Sequence, residues 1–156
     1  MVEVHPSLEP VAGWLGTWSG RGRGEYPTIE PFEYDETITL GHAGKPLMAY
    51  TQRTTAPDGG RSLHAESGFW RRGETGTVEL LVAHASGHLE LAEGAWTPSE
   101  LAVRSTAVVG SSSAKSVVAI ERIFRLDGDS ITYDLAMAAV GVPMTQHLHA
   151  ELHRTA

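Results

Sequence analysis

Asp127-Gly128-Asp129-Ser130-Ile131-Thr132-Tyr133-Asp134-Leu135-Ala136-Met137-Ala138-Ala139-Val140 is the stretch whose reading decides the fold. Asp127-Gly128-Asp129 is a hairpin-turn signal. Behind it, Ile131, Tyr133, Leu135, Met137 and Ala139 fall on one face, opposite Ser130, Thr132 and Asp134. Successive side chains of a strand point to opposite faces, so a period of two with one apolar set marks a half-buried strand. Ser130–Val140 is read as that strand.

The same punctuation recurs outward from it. Strands are expected at Gly16–Gly24, Phe32–His42, Pro46–Arg53, Leu63–Arg72 and Thr77–Ala83, then at His88–Trp96, Glu100–Val109 and Ser116–Leu126. Turn residues divide them: Ala43-Gly44-Lys45, Pro57-Asp58-Gly59-Gly60, Gly73–Gly76, Ser86-Gly87, Pro98-Ser99 and Gly110–Ser113. Gly141-Val142-Pro143 opens a last strand. About ten evenly spaced strands with hairpin-length connections form an up-and-down meander. Closing such a meander removes its exposed edges. The expected fold is therefore all-β, a roughly ten-stranded antiparallel barrel wide enough for one ligand. One short helix is expected at Ser7–Leu15. Ser7 would cap it, Glu9 and Pro10 would sit in its first turn, and Leu8, Val11, Ala12 and Leu15 would form its apolar stripe. It is short enough to be a 3₁₀ turn.

The chain has 156 residues, the length of a single domain spanning 1–156. A chain of that size buries enough apolar surface to need no disulfide. It has no cysteine, which fits a reducing compartment. No apolar run approaches the ~20 residues that span a bilayer. Met1–Pro10 carries Glu3 and Glu9 and has no apolar h-region. A cytoplasmic protein with no membrane partner is expected. The net charge of −7, from 12 basic and 19 acidic side chains, argues against a nucleic-acid partner, which a basic patch would announce.

Gly16-Thr17-Trp18-Ser19-Gly20-Arg21-Gly22 is read as a structural closure. Its glycines, Gly16, Gly20 and Gly22, let the strand bend sharply and other backbone approach closely, and Trp18 can plug one end of the barrel. A dinucleotide fingerprint would follow a strand and open a helix, whereas here the expected helix comes first. Tyr26-Pro27-Thr28-Ile29, with Pro31-Phe32 behind it, is either a plain turn or a loop lying against a ligand edge.

Three of the eight histidines, His147, His149 and His153, fall within seven residues near the end of the chain. Imidazole is the commonest metal ligand among side chains. As a helix the segment would align His149 and His153, but the zinc-protease motif needs a Glu directly after its first His, and Glu151 sits midway. As a strand it puts Thr145, His147, His149, Glu151 and His153 on one face and Met144, Gln146, Leu148, Ala150 and Leu152 on the other. Leu148 and Leu152 would then take the core and leave the histidines in water. A β-bulge or a polar barrel mouth would reverse that assignment. His42, His64, His84 and His88 stand singly in or beside strands, where a satisfied structural histidine is the ordinary outcome. His5, near the terminus, is read as solvated.

Taken in order, Gly16–Gly22, Tyr26–Ile29 with Pro31-Phe32, Gly44-Lys45-Pro46, His64-x-Glu66-x-Gly68 and Pro143-Met144-Thr145-Gln146-His147-Leu148 resemble the nitrobindin family, from about Leu8 to Arg154. The resemblance implies a ten-stranded antiparallel barrel, like a fatty-acid-binding protein in outline, with heme b near its mouth. It implies a ferric heme that binds nitric oxide and converts peroxynitrite to nitrate, a heme-dependent peroxynitrite isomerase whose partners are small molecules. Carried over residue by residue, His147 would be the axial iron ligand. Leu63, His64, His84 and Met137 would surround the distal pocket, and Thr28 and Lys115 would lie near the heme edge or its propionates. No catalytic side chain beyond the iron is implied. Two other readings stay open on the residues: a lipocalin-like carrier of an apolar small molecule, and a non-heme metal site on His147 and His149.

Overall fold

The computed structural model describes residues 1–58 and 60–156. Of the turn expected at Pro57–Gly60, Gly59 lies outside the described residues. A 3₁₀ helix over Pro6–Trp14 precedes ten strands: β1 (Gly16–Tyr26), β2 (Ile29–Gly41), β3 (Leu47–Thr55), β4 (Ser62–Arg72), β5 (Thr77–His84), β6 (His88–Trp96), β7 (Glu100–Gly110), β8 (Val117–Asp127), β9 (Ser130–Ala139) and β10 (Val142–Arg154). Each strand pairs antiparallel with its sequence neighbours, and β10 returns to pair with β1, which closes the barrel. The expected meander and its closure are both present. No helix among the described residues is long and apolar enough to cross a membrane.

The alternation read in β9 sorts its faces as expected, with Ile131, Tyr133, Leu135 and Ala139 buried and Met137 packed against the core. Three boundaries differ. The helix starts at Pro6, and the His5 imidazole accepts from the Ser7 N–H at 3.1 Å, so His5 rather than Ser7 is the cap. Tyr26 and Ile29 pair within the sheet, so the loop expected over Tyr26–Ile29 tightens to Pro27-Thr28. The last hairpin turns at Val140-Gly141, with φ of 46° and 81°. Two positive φ values suit the twist of a two-residue hairpin. Val140 is β-branched and strained there.

The two ends of the barrel are chemically different. At one end the helix lies across the opening. Trp14, Trp70 and Trp96 are fully buried and meet edge to face, with ring centroids 5.5 to 6.3 Å apart. Trp18 joins them: its indole N–H donates to the Trp14 carbonyl at 3.0 Å, and the Arg154 guanidinium covers its ring at 4.2 Å. This is the plug expected of the Gly16–Gly22 motif. Gly20 makes it possible, because a Cβ there would sit 2.0 Å from the Glu151 carbonyl oxygen of β10. Gly22 leaves room for the Tyr34 ring, which a Cβ would meet at 2.3 Å.

At the other end the β1–β2, β3–β4, β5–β6, β7–β8 and β9–β10 connections gather around an open mouth. Up-and-down topology sends every odd-to-even connection to that end, and the candidate site is built there.

The tryptophan plug yields a stability prediction. Trp14→Ala should lower the unfolding free energy by about 3–5 kcal/mol, the usual cost of emptying a large aromatic site. Urea denaturation measures it, and a loss below about 1 kcal/mol would show that the helix does not brace this end.

Candidate functional site

The final strand departs from regular pairing where the histidines lie. Gln146 faces Ala136 of β9 and Leu148 faces Leu135, so His147 is an extra residue with no partner on β9. Strict alternation would have put His147 on the outer face beside His149. The bulge frees it from that register and re-aims its side chain.

Its imidazole lies edge-on to the rings of Tyr26 and Phe32, at centroid distances of 5.3 and 6.4 Å. Its Nδ1 lies 2.9 Å from the carbonyl oxygen of Glu25 on β1. A carbonyl only accepts, so Nδ1 carries the proton and Nε2 keeps a bare lone pair. Burial lowers the His147 pKa, opposed by the Glu25 carbonyl and aided by nearby His64. The half-buried ring is thus held neutral and oriented, the form in which histidine ligates a metal.

A cavity of about 630 Å³ opens beside it, lined among others by Arg23, Phe32, Pro57, Gln146, Leu148 and His147. That volume falls within the ~300–1,000 Å³ typical of small-molecule sites.

His149 and Asp134 line the same cavity. His149 Nδ1 lies 2.8 Å from the Asp134 carboxylate, and His153 Nδ1 lies 3.1 Å from the Ser130 hydroxyl. His147 and His149 thus share a cavity but differ in partner, a backbone carbonyl for one and a carboxylate for the other. His88 is the satisfied structural histidine expected of an isolated one: its ring nitrogens lie 2.8 Å from Ser86 Oγ and 2.7 Å from the Lys115 carbonyl. His42 accepts from the Gly44 N–H at 3.2 Å, at the helix end of the barrel.

Inside the mouth the wall is polar. Arg122 of β8 is buried and donates to Glu66 Oε1 at 2.6 Å and to both carboxylate oxygens of Glu90, Oε1 at 2.5 Å and Oε2 at 3.2 Å. Tyr50 donates to Glu66 Oε1 at 2.7 Å. Burial acts to raise both carboxyl pKa values, but Arg122 first, and then the histidines, outweigh it. Glu66 is held well below the usual range and Glu90 below it. His84 reaches both carboxylates, with Nδ1 3.2 Å from Glu66 Oε2 and Nε2 2.8 Å from Glu90 Oε1. His64 Nε2 lies 3.2 Å from Glu66 Oε2 and 3.3 Å from His84 Nδ1.

The structure brings His147, His64, His84 and Met137 to the same end of the barrel, but of the expected heme-site residues only His147 lines the cavity. Met137 points inward, and its carbonyl accepts from the Tyr26 hydroxyl at 3.0 Å. Leu63 lies in a β4 bulge at the rim, 37% exposed. Thr28 and Lys115 are exposed on the β1–β2 and β7–β8 connections. The sequence reading did not single out Arg122, Glu90 or Glu25 and quoted Glu66 only within a motif. Inward parity was the available signal, since Ile120, Arg122 and Phe124 share the buried face of β8.

A family model described as "THAP4-like, heme-binding beta-barrel domain" matches residues 7–154. The chain belongs to this nitrobindin family of heme-binding β-barrels. Among its relatives, a protein named peroxynitrite isomerase from Nocardia farcinica is 49% identical, covering 98% of this chain and 94% of that one. One named peroxynitrite isomerase 1 from Mycolicibacterium paratuberculosis is 46% identical over 97% of both. The crystal structure of Rv2717c from M. tuberculosis superposes with a TM-score of 0.93 at 41% identity, covering 99% of this chain and all of that one. The donor chemistry at the mouth fits a nitrobindin's heme: one neutral imidazole with a bare Nε2, and a cavity beside it.

The polar wall also predicts a pH dependence. Glu36, which accepts from the Gln52 amide at 2.7 Å, is pushed from 4.5 up to about 7, chiefly by burial. Its folded pKa exceeds its unfolded one, so between those values the folded protein keeps a proton that the unfolded chain has lost. Stability from this group falls as pH rises through that window. Glu36→Gln should therefore gain on wild type by on the order of 3 kcal/mol between pH 4.5 and pH 8. Urea unfolding at both pH values measures it, and a pH-independent difference would refute it.

Proposed function

We propose that this protein binds heme b with His147 Nε2 as the axial iron ligand, converts peroxynitrite to nitrate, and binds nitric oxide reversibly at the same iron. The observation that carries the reading is the bulged His147, neutral and fixed through Nδ1 on the Glu25 carbonyl. The family match and the activity in the relatives' names support it.

Bound ferric heme would supply a Lewis acid for an anionic peroxide. The chain's own residues do the rest. Tyr26 donates to the Met137 carbonyl and accepts from the Ala139 N–H at 3.1 Å, which locks the ring against which His147 rests. On this reading Leu63, His64, His84 and Met137 surround the open side, and Thr28 and Lys115 meet the propionates at the rim. The acidic balance of −7 and the absence of cysteine fit small-molecule work in the cytoplasm, away from nucleic acid and membranes.

Heme loading and rapid kinetics test this together. Wild-type protein should show a Soret band on addition of hemin. His147→Ala should lose it while keeping its β-sheet circular dichroism, and His149→Ala and His153→Ala should leave it nearly unchanged. Heme-loaded protein should speed peroxynitrite decay in stopped flow. Equal rates with and without heme would remove the isomerase, and a wild-type Soret band in His147→Ala would remove the ligand assignment.

A further inference from the structure

We propose that His64, Glu66 and His84 form a second, non-heme metal site that takes a divalent first-row transition ion, with zinc as the reference case. The three ligand atoms are His64 Nε2, Glu66 Oε2 and His84 Nδ1. They stand 3.2, 3.2 and 3.3 Å apart. Ligands bonded at about 2.0–2.1 Å in a tetrahedral site are separated from one another by roughly 3.3–3.4 Å. The triangle thus has the dimensions of one face of such a site. Among the described residues it is the one group of three or more acidic or imidazole side chains with converging ligand atoms.

The hydrogen bonds around the triangle point the same way. Glu90 is an ionised acceptor, so its contact with His84 Nε2 at 2.8 Å places a proton on that nitrogen. With Nε2 turned to Glu90, Nδ1 is the atom that His84 turns to the triangle. This is the carboxylate–histidine–metal arrangement that fixes tautomer and ring orientation in metal sites. Arg122 and Tyr50 hold Glu66 by Oε1, which leaves Oε2 for the triangle. Three potential ligand atoms, His84 Nδ1, Glu66 Oε2 and His64 Nε2, therefore converge. A divalent cation that displaces the imidazole protons between them would be bonded by all three.

Two imidazoles and one carboxylate are a donor set for zinc and for iron(II), and three protein ligands leave a fourth position to water or an anionic substrate. His64 is half-exposed at the mouth, which gives an entry path, while Glu66 and His84 are nearly covered. Glu66 is a direct ligand and Glu90 stands behind His84; with Arg122 shared between them, the pair brings one net negative charge to the ion. None of this uses His147, but His64 and His84 are the residues that the heme reading sets on the open side, so the metal site is proposed for the heme-free protein.

Heme-free protein titrated with Co²⁺ and then Zn²⁺, followed by visible absorption and calorimetry, tests the proposal. One equivalent of Co²⁺ should give the intense visible bands of a tetrahedral site, and Zn²⁺ should displace it. Glu90→Gln should weaken zinc binding about 10–100-fold, the usual effect of losing a carboxylate behind a ligating histidine. His64→Ala should weaken it further. It removes a rim side chain, so it carries the test even if Glu90→Gln fails to fold. His147→Ala should bind zinc like wild type, which separates this site from the heme ligand. No stoichiometric binding by wild type would overturn the proposal, as would binding that survives His64→Ala or is lost in His149→Ala.

Discussion

The site depends on one hydrogen bond between two strands that are far apart in sequence. His147 of β10 gives its Nδ1 proton to the Glu25 carbonyl of β1. A ladder residue could not make this bond, because its side chain would follow the pleat to the outer face. The bulge removes His147 from the ladder and the adjoining β1 backbone receives it. A backbone acceptor is as permanent as the sheet, so the imidazole's tautomer is set by closure of the barrel itself. Closure of the barrel and orientation of the imidazole are thus the same event in this fold.

The opposite end has to be rigid for that to hold. Four buried tryptophans and the 3₁₀ helix fill it, and Gly20 lets β10 come close enough to β1 to seal it. The barrel is dry and aromatic at one end and polar at the other. Along β4 the inward side chains run from Trp70 at the plug, past Gly68 and Glu66, to His64 at the mouth. The charges at the mouth are tolerated because they are paired. Arg122 is shared between two carboxylates, and a buried guanidinium with complete partners costs far less than one left alone.

Much of this could be read from the sequence, for physical reasons. Ile131, Tyr133 and Leu135 alternate because a barrel wall has a wet and a dry side, and Asp127–Asp129 turns because the chain must reverse. Trp18 among glycines pointed to a plug. The bulge could not be read, because one unpaired residue is a property of two strands, and periodicity along β10 alone favours placing His147 with His149. The tightening of the β1–β2 turn has a similar origin. Tyr26 is drawn into the sheet by Met137 and Ala139, more than a hundred residues away. Arg122, Glu66 and Glu90 were visible only as charges at inward positions. Their partnership spans 32 and 56 residues and emerges only when the barrel closes.

A histidine ligand that has to be reoriented when its metal arrives is weaker than one already in place. Here the His147 imidazole is already oriented in the protein alone. Nitrogen-15 NMR of the imidazole resonances in heme-free protein at neutral pH tests that orientation most directly. The expected spectrum is that of a neutral His147 with its proton on Nδ1 and a bare Nε2. A His147 that is protonated on Nε2, or that averages freely between tautomers, would contradict it.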